Sequence, residues 1–178
     1  MARRTSSWLL LALIAAAASG CELHSLFDLD RAVEIDETRS QSVDLLLQLD
    51  LAEGGKPGVG QDGSPSAISL DSADVTVSQV DTSAGTNEAS ALAGTLSLRP
   101  AGASDDSSDV VLGSLAGLSL KQGATASLKG TPDSAALLLA AHRAGGRFQL
   151  VCNLTLPGGR SAHVVLFISL HLAAGYQR

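Results

Sequence analysis

Four histidines, a run of aspartates, scattered serines and a downstream thiol are the residues of this chain that could do chemistry. His163 and His171 share the parity of one strand-like segment and would point to the same face. A shared zinc ion would need both rings about 2 Å away. Eight extended residues place them roughly 26 Å apart, so one metal cannot hold both. The pair reads instead as two ends of a strand meeting water. His24 lies near the start of the chain, and His142 ends a helical segment, where positive charge is favoured. Asp105-Asp106-Ser107-Ser108-Asp109 has the carboxylate density of a calcium loop, but no D-x-[DN]-x-[DN]-G run with a closing Glu. It reads as a solvated polar loop, with weak divalent binding as the alternative. Val111–Gly117 lacks the glycine spacing of a G-x-S-x-G nucleophile elbow. Phosphate-cradling glycine motifs are missing too, and the Asn153-Leu154-Thr155 sequon falls mid-strand. The expectation is no catalytic residue, no metal, no cofactor and no enzyme.

The elements that would position these groups are mostly strands. Val43, Leu45, Leu47, Leu49 and Leu51 alternate with Asp44, Gln48 and Asp50, the period of a half-buried strand. Residues 52–66 are loop, carrying Gly-Gly, Lys-Pro-Gly, Asp-Gly and Ser-Pro. Short strands are expected at 67–70, 74–80 and 92–98, then a polar loop over 100–109. In 110–120, Val110, Leu112, Leu118 and Leu120 share one parity, and Gly113 and Gly117 suggest a bulge. Residues 124–128 are expected to pair back on that strand. Pro157-Gly158-Gly159-Arg160 signals a hairpin between 147–156 and 161–172. The last strand is apolar on both faces and belongs inside the fold, covered on both sides.

One helix interrupts the strands near 132–144. Thr131 suits the N-cap, Pro132 the first helical position and Asp133 the positive end of the dipole, while His142, Arg143 and Gly145 suit its close. Six to eight strands with one helix predict a mainly β fold, an antiparallel β-sandwich or curled sheet.

The balance of residues bounds the function. The 178 residues are 45% hydrophobic, 17% charged and 3% aromatic, with 12 basic against 18 acidic side chains. That is enough apolar material for one domain, and its acidity disfavours nucleic acid. Scarce aromatics also exclude an outer-membrane barrel, which needs aromatic girdles at both interfaces.

Residues 1–20 carry an address. Arg3 and Arg4 precede an apolar run, Trp8–Ala18, too short to span a bilayer as a helix and of the length of a signal-peptide core. Arg3-Arg4 is followed by Thr5-Ser6-Ser7 in place of the apolar pair of a twin-arginine signal, which favours Sec export. Ala18-Ser19-Gly20-Cys21 then resembles the lipobox of bacterial lipoproteins, with Ala18 where that family prefers Leu. The resemblance covers the signal region alone. It implies cleavage between Gly20 and Cys21, diacylglycerylation of the Cys21 thiol and attachment to the membrane through acyl chains. Ordinary secretion, cut after Ala16-Ala17-Ala18, is the alternative.

Without residues 1–20, which hold Arg3 and Arg4, 10 basic residues face 18 acidic ones, a balance of −8. Anionic headgroups would repel such a body, leaving attachment to the lipid. Glu22, in place of a retention Asp, points toward the outer membrane. Lipidation of Cys21 leaves Cys152 a lone, buried thiol behaving as a small hydrophobe.

The expected organisation is a signal peptide over 1–20, a lipidated N-terminus and tether over 21–40, and one β-rich domain over 41–178. The functional expectation is a non-enzymatic envelope lipoprotein with a binding or structural role, meeting an envelope protein or a glycan. The alternative is a carrier of a lipid or small apolar ligand, with the helix as its lid.

Overall fold

Alternation begins earlier than the leucine-rich segment suggests. Phe27, Leu29, Val33 and Ile35 are buried, while Leu26, Asp28, Asp30, Glu34 and Asp36 between them are exposed. They lie on a 15-residue strand, β1 (Leu23–Glu37), paired along its whole length with the last strand. The tether expected over 22–40 is therefore corrected: residues 23–37 belong to the sandwich. Two residues hide the period in the sequence. Leu26 is apolar on the outer face, and Arg31 occupies an inward position, where its guanidinium reaches the Glu53 carboxylate.

The computed structural model describes residues 23–37, 42–54, 64–81, 87–159 and 161–176. The expected signal peptide, with Gly20 and Cys21, lies outside them. Seven strands follow β1: β2 (Ser42–Asp50), β3 (Ala67–Val80), β4 (Ala91–Pro100), β5 (Val110–Ser119), β6 (Thr125–Lys129), β7 (Arg147–Thr155) and β8 (Ala162–Tyr176). Helix α1 (Pro132–Arg143) stands between β6 and β7.

The strands form two antiparallel four-stranded sheets, ordered β1-β8-β3-β6 and β2-β7-β4-β5. Of the consecutive strands, only β4 and β5 pair, and every other connection crosses between sheets. This is the double-sheet jelly roll. The expected mainly β sandwich with one helix is what forms, but two expected hairpins are not. Strand β6 pairs with β3 instead of returning on β5. The turn at 157–160 carries the chain from β7 in one sheet to β8 in the other. Competing partners decide the second case: Ser161 O accepts the N–H groups of Glu88 and Ala89, at 3.2 and 3.1 Å, which ties this corner to the entry of β4.

Bulges explain one misread strand, β3, and the bulge expected in β5 is present. A one-residue slip moves every following side chain to the other face. In β3, register shifts fall between Leu70 and Ser72 and between Val77 and Gln79. The first carries the buried set from Ile68 and Leu70 to Ala73, Val75 and Val77, so the two short strands expected at 67–70 and 74–80 are one. In β5, shifts against β4 bring Leu112, Leu115 and Leu118 all inward, although their parities differ. Gly117 (φ +77°) allows the second shift through a left-handed backbone that side chains resist.

Strand β8 is central in its sheet, as its apolarity suggests, but only one face is covered. Leu166, Ile168, Leu170 and Leu172 enter the core, whereas Phe167 on the other face is 39% exposed. One continuous apolar cluster, from Phe27 to Tyr176, fills the space between the sheets.

Candidate functional site

The strand directions gather one set of termini at one end of the sandwich. Register places the start of β1 beside the end of β8, which also meets the start of β3. Asp50, ending β2, opposes Arg147, which begins β7, and Pro100, ending β4, opposes Phe148. Helix α1 crosses this end, packed on β3, β4, β5 and β7.

Its ends follow from sequence. Thr131 Oγ1 accepts the Ser134 N–H at 3.1 Å, and Ser134 Oγ accepts the Thr131 N–H at 2.9 Å, a reciprocal capping box. Ser134, Leu137, Leu138 and Ala141 are buried. One margin of that buried face is left open. Asp133, Leu137, Ala140, Ala141 and Ala144 lie along it at helical spacing and line a groove of about 440 Å³. The opposite wall is Pro100, Ala101, Ser108 and Val110, from the connection between β4 and β5, and Arg147 closes one end. That wall is braced: Arg99 grips Asp109 through Nε–Oδ1 at 2.5 Å and a second bond at 2.8 Å. Arg147 itself is 78% exposed and only 3.8 Å from Asp50 at closest.

The aspartate run lies beside this groove and is internally engaged. Asp105 Oδ1 accepts from the Ser107 hydroxyl and backbone N–H, and these bonds hold its carboxyl below the usual range. Asp109 is committed to Arg99. Among the described residues, no three His, Cys, Asp or Glu side chains are placed to hold a metal ion.

The histidines do not converge. His163, expected to meet water, is only 6% exposed. Its Nδ1 lies 2.6 Å from Asp36 Oδ1 at the far end of the sandwich, out of hydrogen-bond alignment. It borders a second depression of about 440 Å³, which Glu34, Asp36 and Asp81 also line. His171 is half-exposed on the outer face of β8, between Asp28 on β1 and Asp74 on β3. These carboxylates raise its pKa, the Asp28 hydrogen bond most of all. His142 is in the last turn of α1, at the opposite end from His163. His24 lies on β1 opposite Gly175.

Cys152 is fully buried on β7 between Leu45 of β2 and Leu96 of β4, and burial pushes its thiol up to about 12. The reading of it as a packed hydrophobe fits that placement. The sequence reading missed the groove. Its signal was present in the four-residue steps Asp133, Leu137 and Ala141, but the apolarity of α1 on its other faces masked them.

Neither a family model nor a curated protein matches the chain. Two similar solved structures are viral. A decameric BFDV capsid protein matches at 9% identity and TM-score 0.45, over 86% of this chain and 98% of that one. Turnip yellow mosaic virus matches at 10% identity and TM-score 0.35, over 100% of this chain and 87% of that one. The strand order, and not this distant likeness, establishes the jelly roll.

Proposed function

We propose that the chain is a cell-envelope lipoprotein, anchored through acyl chains on Cys21, with a non-enzymatic binding or structural role. The observation that carries this reading is Ala18-Ser19-Gly20-Cys21 directly after the apolar run Trp8–Ala18. The fold adds a consequence. Strand β1 starts at Leu23, two residues after Cys21 in the sequence. The anchored body would rest on the membrane by the end that α1 crosses, without a tether.

Metabolic labelling with a fatty acid tests the anchor. The native chain should incorporate label and Cys21→Ser should not; equal labelling of the two rejects the anchor. The dispersed histidines and engaged carboxylates support a binding role over a catalytic one. An envelope protein or surface glycan is the proposed partner class, tested by crosslinking in intact cells. A second reading, carriage of a lipid or small apolar ligand, is favoured by the groove beside α1. Among the described residues, one continuous buried apolar cluster lies between the sheets.

A further inference from the structure

We propose that the groove beside α1 is a binding site for a single fatty acid, its alkyl chain along the helix and its carboxylate on Arg147. This rests on the envelope placement above only for bringing lipid to the site. The groove follows one helix face from Asp133 to Ala144, eleven residue steps, or about 16 Å at the rise of an α-helix. That suits an extended alkyl chain better than a compact ring system. Its volume, about 440 Å³, is within the usual range for ligand clefts.

The walls are made of small and aliphatic side chains, among them Ala140, Ala144, Leu137 and Val110, which offer dispersion contacts without polar partners. Charge sorts the two ends. Asp133 stands at the N-terminal end and disfavours an anion there. Arg147 stands at the other end, and its neighbour Asp50 already accepts the Ala52 N–H at 2.9 Å. With Asp50 Oδ2 no nearer than 3.8 Å, the Arg147 guanidinium retains donors for a planar carboxylate. The helix C-terminus is nearby and repels anions, so the cation is what admits a carboxylate at this end.

The test titrates the complete mature chain carrying Cys21→Ser with 11-(dansylamino)undecanoic acid, followed by displacement with dodecanoic acid or 1-dodecanol. Saturable, blue-shifted fluorescence displaced by both is expected. Ala140→Trp, an exposed position that would fill the groove, should abolish it at unchanged Tm; Ala144→Trp serves if the first variant fails to fold. Arg147→Ala should weaken dodecanoic acid about tenfold and leave the alcohol unchanged. Unsaturable fluorescence, or binding indifferent to both tryptophans, overturns the site. So does binding by Cys21→Ser but not by the acylated chain, which would assign the groove to the chain's own acyl group. Fatty-acid labelling of Cys21 reports on the anchor separately, so either proposal can fail while the other stands.

Discussion

His171 Nδ1 lies 2.7 Å from Asp28 Oδ1, joining the central strand of one sheet to its edge strand across the outer face. The other ring nitrogen lies 3.2 Å from Asp74 Oδ2 on β3, so one imidazole spans three strands. Both nitrogens can donate only in the imidazolium form. Because the folded pKa is raised, this contribution is complete below the unfolded value, about 6.5, and is lost as pH rises through the folded one. Urea unfolding across that window should show the native chain losing stability relative to His171→Gln. Parallel pH profiles for the two would show that the carboxylates do not act on this ring.

Strand β1 contributes core, which a tether would not. Ile35 is 2% exposed, so Ile35→Ala should cost about 3 kcal/mol in denaturant unfolding. A change within about 0.5 kcal/mol, the usual effect at an uninvolved surface position, would return residues 23–37 to a tether.

Cys152 should be inert in the folded chain. With its pKa pushed up to about 12, thiolate is negligible near neutrality. An aromatic disulfide reagent should react with Cys21→Ser only as fast as the chain opens, and at once in denaturant. Fast reaction under native conditions would contradict the packing of β7.

Gly94 is held where β4 passes β7. Its φ is +142°, and a Cβ there would come within 2.2 Å of Asn153 O. Gly94→Ala should therefore cost at least ~2 kcal/mol, seen as a lowered Tm. The same change at Gly102, which has open space around it, should cost less because only backbone strain applies.

Much of the architecture was legible in the residues themselves. The helix was readable at both ends because capping is local chemistry: Thr131, Pro132 and Gly145 act within a few residues of their own backbone. Strands β2, β7 and β8 were readable because one apolar parity runs the length of each, and β1–β8 and β2–β7 pair without a register shift. Reading failed where a bulge changed parity at Asp71 in β3, since a slipped register is visible only against the paired strand, whereas the glycines of β5 marked its bulge in advance. It failed again at β1, where Arg31 occupies an inward position at the sheet edge and is accommodated there by Glu53.

By itself, then, the sequence determined the class of the fold, the helix and its caps, and the burial of Cys152. Those depend on side-chain period, local hydrogen bonding and composition, which are properties of neighbouring residues. Only the tertiary structure decided which strands pair, that β1 joins the sandwich, and that α1 faces the 100–110 connection across an open groove. Pairing and cavities arise between residues far apart in the chain, where many partners satisfy the same local pattern and packing selects among them.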